Sequence, residues 1–82
     1  MRNDEVIKRF IMGKSAHSSN KNLRTDGEKL INYSTVIAQK EGRTIVVSST
    51  KYSSTTSRIQ NQLKRAILYN GFYELELRDM GW

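Results

Sequence analysis

Residues 44–67 read TIVVSSTKYSSTTSRIQNQLKRAI, and the rest of the chain is organised around this stretch. Its β-branched beginning predicts a buried strand over residues 44–49. Its second half repeats apolar residues at i, i+4, i+7 and i+8, which predicts an amphipathic helix over about 58–70. Ser57 and Gln60 match the S/T-x-x-E/Q capping box, so Ser57 is the expected N-cap of this helix.

The other predicted elements flank this strand and helix. An apolar face at helical spacing predicts a first helix over about 4–12. The polar residues 14–28 lack periodicity and are expected to form a mobile loop. Residues 29–39 predict a strand with a bulge or bend near Asn32, and the alternating residues 72–77 predict another strand.

Together these elements predict a single α+β domain over residues 1–82, in the order α-β-β-α-β. The strands at 29–39 and 44–49 would form an antiparallel hairpin over about 29–49. The last strand is expected to run antiparallel to the first strand and to pair with it. This arrangement is a three-stranded antiparallel sheet of order 2-1-3, covered on one face by both helices, with the strand at 44–49 at its edge.

Composition limits the classes of function. The chain has 82 residues, no cysteine and a formal net charge of +6 at pH 7. The lack of cysteine excludes disulfides and thiolate metal sites, and it agrees with a cytoplasmic protein. The apolar runs are far shorter than the roughly 20 residues that a membrane-spanning helix needs, so no membrane association is expected.

The excess positive charge lies in the centre of the chain. Residues 29–71 contain seven Lys or Arg residues and one acidic residue, Glu41. Such a field favours an anionic partner, which could be nucleic acid, an acidic protein or a membrane surface. A general contribution to solubility is the alternative.

The sequence carries no catalytic motif. His17 lies in a polar segment without an acidic residue nearby in sequence, so it is a poor candidate for a general base or a ligand. Glu74 and Glu76 share one face of a predicted strand, where solvated carboxylates are far commoner than a cation site. No Gly-rich phosphate loop or Cys/His cluster is present. We therefore expect a protein that is not an enzyme and that holds no metal or cofactor.

A run of hydroxyl side chains precedes the second predicted helix. Eight of the ten residues 48–57 are Ser or Thr. Hydroxyls, unpaired backbone N–H groups and a positive helix end resemble a phosphate site, whereas local satisfaction of the backbone is the plainer alternative. The candidate binding residues in this region are Lys51, Tyr52, Ser54, Thr55, Thr56, Ser57 and Arg58.

The outer face of the same helix is a second candidate. Arg58, Asn61, Arg65 and Tyr69 fall within roughly 80° of one another on a helical wheel. Such side chains can contact phosphates and base edges or form a protein interface, although solvated helix faces often have this composition. Lys64 lies apart from this face and is assigned to solubility.

The polar segment 14–28 could supply further contacts. Its basic residues Lys14, Lys21 and Arg24 could wrap around a polyanion and become ordered on binding. A mobile connector is the alternative interpretation.

Residues 33–38 (YSTVIA) and 51–60 (KYSSTTSRIQ) resemble an uncharacterised module of small phage and mobile-element proteins. The resemblance covers residues 28–67, and it extends more loosely to segments of phage anti-CRISPR proteins. It implies a mobile-element accessory protein in the cytoplasm of a bacterial host, with counter-defence as one of its roles. Many anti-CRISPR proteins that imitate DNA are acidic, whereas this chain is basic, which implies contact with guide RNA, target DNA or an acidic protein surface.

Three functions follow from these patterns. The favoured one is an inhibitor that docks on a host nucleoprotein complex, such as a Cas effector. The second is a stand-alone nucleic-acid-binding module that holds the phosphate backbone through Lys51, Arg58, Arg65 and the basic segment. The third is a structural domain that forms a homodimer through its edge strand or its outer helix face.

Overall fold

A computed structural model describes residues 1–49 and 54–78, with residues 54 and 55 described by backbone only. Within these ranges the chain forms two helices and six strands, which make a small α+β domain. In chain order the elements are α1 (Asn3–Ile11), β1 (Ala16–His17), β2 (Leu23–Thr25), β3 (Lys29–Asn32), β4 (Thr35–Glu41), β5 (Thr44–Ser48), α2 (Ser54–Asn70) and β6 (Glu74–Arg78).

The six strands form one mixed sheet in which each strand lies beside the next in sequence. The first five strands are antiparallel to their neighbours, and β6 pairs with β5 in parallel. The prediction of a three-stranded antiparallel sheet of order 2-1-3 is therefore wrong. The last strand has the expected direction relative to β5 but a different neighbour, and β5 lies inside the sheet instead of at its edge.

The error arises in residues 29–39, which form two strands instead of one. Tyr33 adopts a left-handed backbone conformation (φ 58°), and the chain reverses between β3 and β4 at this point. A register shift farther along leaves Ile37 as an extra residue on β4, so Ile37 and Ala38 are both buried. Because β3 and β5 occupy the two edges of β4, β6 cannot pair with β4. It pairs instead with the free edge of β5.

The segment 14–28 carries β1 and β2 and extends the sheet, in contrast to the mobile loop that its polar composition predicts. Leu23 and Thr25 on β2 are buried. The hydroxyl of Ser18, which is also buried, accepts a hydrogen bond from the Leu23 amide at 3.2 Å. The two apolar residues of this stretch, Ala16 and Leu23, are seven positions apart and give no alternating signal, which is why the pattern does not reveal the strands.

Both helices begin earlier than predicted. The N-cap of α1 is Arg2, which makes no side-chain capping bond, and the helix ends before Gly13 at φ +80°. Helix α2 begins at Ser54, so Ser57 lies in its first turn and is not its N-cap. Gln60 does not complete a capping box, because its side chain donates a hydrogen bond to the backbone carbonyl of Ser48 at 2.9 Å. That bond joins the start of α2 to the end of β5.

The two helices cover the same face of the sheet and share one hydrophobic core. Burial of this apolar surface is the main force that holds so small a domain together. No helix among the described residues is long and apolar enough to cross a membrane. The core consists of Val6, Ile7, Phe10, Ile11, Leu23, Leu30, Ile37, Ala38, Ile45, Val47, Ile59, Leu63 and Ile67.

Candidate functional site

The outer face of α2 is the candidate site, and its position follows from the burial of the opposite face. Ile59, Leu63 and Ile67 are almost completely buried against the sheet. Because residues of a helix are 100° apart, the opposite side of α2 must face solvent. Arg58, Asn61, Arg65 and Tyr69, the residues predicted for this face, are all exposed, and Tyr69 is 95% exposed.

This face is strongly basic. The 17 residues of α2 include Arg58, Lys64 and Arg65 but no Asp or Glu. Within the described ranges, none of these three cations forms an ion pair with a carboxylate. Their charges are therefore available to an anionic partner.

Lys64, which the helical wheel assigns to solubility, lies beside this face. Asn61, Lys64 and Arg65 line a surface depression of about 360 Å³. Lys64 is three residues after Asn61, a spacing at which side chains on a helix are neighbours. This i, i+3 relationship is the signal in the sequence that could have identified it.

The hydroxyl run is not assembled into a phosphate site among the residues that the structure describes. Thr56 is buried, and its hydroxyl accepts a hydrogen bond from Asn32 Nδ2 at 2.7 Å. Ser57 is half-buried within the first turn of α2. Thr56 thus contributes to the packing of α2 on the sheet. Lys51 and Tyr52 lie outside the described residues, as do the side chains of Ser54 and Thr55.

The secondary basic residues are not brought to this face. Arg24 lies on β2 between the buried Leu23 and Thr25, so its side chain points away from the core and its helices. Lys14 and Lys21 are exposed in the connections next to β1 and β2, at the end of the sheet away from β5 and β6, on which α2 packs.

A groove separates the C-terminal halves of the two helices, and it extends the basic face. Its volume is about 670 Å³. Helix α1 and its C-cap contribute Lys8, Ile11 and Met12 to the lining, and α2 contributes Arg65, Ala66, Tyr69 and Asn70. The sequence hypothesis does not include Lys8 and Met12, because neither lies on α2 and no local pattern in the sequence places them beside it.

Acidic side chains on the opposite face of the sheet are paired instead. Arg78 on β6 donates hydrogen bonds to Glu41 on β4, with Nη1 2.9 Å from Oε2, and also to Glu76. The bond from Arg78, followed by one from Gln39, holds the pKa of Glu41 below its ordinary value. The bonds between Arg78 and Glu41 cross β5. On that face, Gln39 and Glu76 are the register partners of the fully buried Val46. Helix α2, by contrast, carries three cations and no carboxylate.

No group of three or more His, Asp or Glu side chains in the described part of the chain is arranged to hold a metal ion. His17 is exposed on β1. Glu76 forms an ion pair with Arg78, and its strand neighbour Glu74 is exposed.

The fold and this face define a small α+β protein with a basic helical layer over a mixed sheet. The chain belongs to the family of unknown function DUF8033, whose sequence model matches residues 7–74. That range includes most of α1, all of α2 and the groove between them. No curated protein and no solved structure matches the chain.

Proposed function

We propose that the protein is a non-enzymatic binding protein that holds the phosphate backbone of a nucleic acid against the outer face of α2. The observation that carries this proposal is the charge of α2, which has three basic residues, no acidic residue and no ion pair within the described ranges. Guanidinium groups are well suited to phosphate because they donate two parallel hydrogen bonds.

The spacing of the cations supports contact along a backbone instead of at one point. Arg58 and Arg65 are seven residues apart, which corresponds to about 10.5 Å along the helix axis. Lys64 and Asn61 border the depression next to Arg65 and supply an ammonium and an amide at its other sides. Phosphates at two positions of one strand could therefore be held together.

The biological setting is also part of the proposal. A nucleic acid held in a host nucleoprotein complex, such as a Cas effector, would be the target of a counter-defence protein. This setting is supported by the sequence resemblance alone. Capture of such a complex from host lysate by the tagged protein, and its absence with an Arg58→Ala/Arg65→Ala variant, would test it.

The binding proposal is tested by fluorescence polarisation with labelled duplex DNA over a range of salt concentrations. The wild-type affinity should fall steeply with salt, because bound phosphates release counterions. Arg58→Ala/Arg65→Ala should weaken binding and reduce the log–log salt slope by about 1.8, since each phosphate of duplex DNA that is no longer neutralised lowers the slope by about 0.9.

The matched control is Lys14→Ala/Arg24→Ala, which removes the same charge from outside the α2 face. It should leave most of the salt slope intact. An equal reduction in both double variants would show that only the net charge matters, and the assignment to α2 would be wrong. Absence of salt-dependent binding by the folded wild-type protein would refute the proposal itself.

A further inference from the structure

The groove between α1 and α2 combines apolar walls with cationic rims. Met12 is 61% exposed and Tyr69 is 95% exposed, although both are large apolar side chains at its edge. Ile11 and Ala66 also line it. A volume of about 670 Å³ is within the range of ligand pockets, roughly 300–1,000 Å³. The groove can therefore receive several apolar side chains.

The charges at the groove are all positive. Lys8 and Arg65 are exposed at its border, neither forms an ion pair among the described residues, and no carboxylate lines it. The end of α1 would normally contribute partial negative charge. Lys40 offsets this charge, because its Nζ donates a hydrogen bond to the Ile11 carbonyl. A complementary partner must be apolar at its centre and anionic at its flanks.

We propose that this groove binds an acidic amphipathic helix of a protein partner. The apolar residues of that helix, at i, i+3 or i+4 and i+7, would contact Ile11, Met12 and Ala66. Its flanking Asp or Glu residues would pair with Lys8 and Arg65. Methionine suits such a site because its flexible, polarizable side chain adapts to different apolar surfaces.

The walls favour a protein partner over an inserted base. Nucleic-acid bases are held by stacking on aromatic or guanidinium planes. The groove offers one ring, Tyr69, and one guanidinium, Arg65, whereas Ile11, Met12 and Ala66 form an aliphatic wall. A second copy of this chain is a poorer electrostatic match. Its two helices carry acidic residues in the described structure only at Asp4 and Glu5, in the first turn of α1.

This inference deepens the proposed function, because Arg65 and Tyr69 belong to both surfaces, and it rests on the same face being a binding surface. The two can nevertheless be separated. Lys8 and Met12 line the groove but are not on α2, and Arg58 is on α2 but does not line the groove.

The test is isothermal titration calorimetry with three synthetic helical peptides. The first has Leu at i, i+3, i+4 and i+7 and Glu on its flanks. The second has the same composition with the Leu positions shuffled, and the third has Lys in place of Glu. The protein variants are Lys8→Gln/Met12→Gln and the matched control Arg9→Gln/Leu68→Gln, which removes one cation and one exposed apolar side chain from outside the groove.

The acidic amphipathic peptide should bind saturably, and the other two should bind at least about tenfold more weakly. Lys8→Gln/Met12→Gln should weaken binding by about tenfold or more, as expected when an apolar anchor and an ion pair are removed. The control variant and Arg58→Ala should bind like wild type. In the duplex-DNA assay, Lys8→Gln/Met12→Gln should change the salt slope no more than its control does.

Three results would overturn the proposal. The first is a lack of saturable binding to the acidic peptide, or equal binding to the charge-reversed one. The second is a dimer in sedimentation that Lys8→Gln/Met12→Gln abolishes, which would make a second copy the occupant. The third is a set of NMR shifts at Met12 and Tyr69 produced by a mononucleotide and not by the peptide, which would make a base the occupant.

Discussion

Lys40 Nζ on β4 lies 3.2 Å from the backbone carbonyl oxygen of Ile11 at the end of α1. The same ammonium lies 5.3 Å from the ring centre of Phe10 and 5.2 Å from that of Tyr73. One cation thus satisfies a helix-terminal carbonyl and contacts two aromatic faces. It thereby fixes the end of α1, where Ile11 lines the groove.

Replacement of this cation should destabilise the domain. Lys40→Met removes the hydrogen bond and both cation–π interactions, while the apolar stem is retained. A charged hydrogen bond and cation–π interactions of this kind suggest a destabilisation of about 2 kcal/mol. The thermal midpoint should fall by about 8–16 °C in a domain of this size.

Circular dichroism melting curves check this, with Lys29→Met as the control, because Lys29 is exposed on β3. An equally stable Lys40→Met variant would show that the interactions of Lys40 with Ile11, Phe10 and Tyr73 do not contribute.

Gly27 should be intolerant of any side chain. Its φ is +99°, and an added Cβ would lie 2.6 Å from the carbonyl oxygen of Gly13. Gly27→Ala would therefore combine a strained backbone with a backbone clash between the β2–β3 turn and the end of α1. We expect a destabilisation of at least about 3 kcal/mol in urea denaturation.

Gly42 provides the comparison. It also has positive φ, at +63°, but no atom beyond its two chain neighbours lies within 4 Å of an added Cβ. Gly42→Ala should cost only the left-handed backbone strain, about 1–2 kcal/mol. Equal destabilisation in the two variants would argue against the close approach of Gly27 to Gly13.

Local patterns are sufficient to predict the helices but not the sheet. The apolar stripe of α2 and the glycine after each helix are local features, formed by residues that are close in sequence. They can therefore be recognised in a single sequence. Strand order depends on which edges are free. That is decided by a turn at Tyr33, a residue type that rarely adopts positive φ. Its neighbours Asn32 and Ser34 are common in turns, but the interruption that they make is also compatible with a bulge near Asn32.

Prediction of the site meets the same limit. The helical wheel places Arg58, Asn61, Arg65 and Tyr69 on one face of α2. The geometry of a single helix determines which of its residues share a face. The groove requires α1 and α2 to be packed together, and no local pattern reveals that packing. Lys8 and Met12 consequently become candidates only when the two helices are seen side by side.

Asp26 should make the free energy of unfolding of the domain depend on pH in the acid range. The backbone amide of Lys29, followed by that of Glu28, donates a hydrogen bond to its carboxylate and lowers its pKa below the ordinary value. The ionised form is thus favoured by folding. Its contribution should be complete above the unfolded pKa of about 3.9 and should disappear as the pH falls through the lower folded-state pKa.

Urea denaturation of wild type and Asp26→Ser over the acid range measures this effect. Serine keeps a hydroxyl acceptor for the turn but does not ionise there. The stability difference between the two proteins should shrink as the pH falls below about 3.9. The pKa of Glu41 is also lowered, but Glu41 titrates in both proteins and cancels in the difference. Parallel curves would show that the Asp26 turn does not favour the charged form.

Lys64 gives the most specific test of the binding face. The helical wheel alone predicts that Lys64→Ala has no effect on nucleic-acid binding, whereas the depression that it shares with Asn61 and Arg65 predicts a phosphate contact. On duplex DNA, Lys64→Ala should reduce the salt slope by about 0.9, as much as Arg65→Ala. Because Lys64 is half-buried at the helix surface, the thermal midpoint of the Lys64→Ala variant should change by only a few degrees.

Arg9→Ala removes the same charge from α1 outside the groove lining and should leave the slope close to that of wild type. A wild-type slope for Lys64→Ala beside a reduced slope for Arg65→Ala would restrict phosphate binding to the wheel face, and Lys64 would then contribute solubility alone.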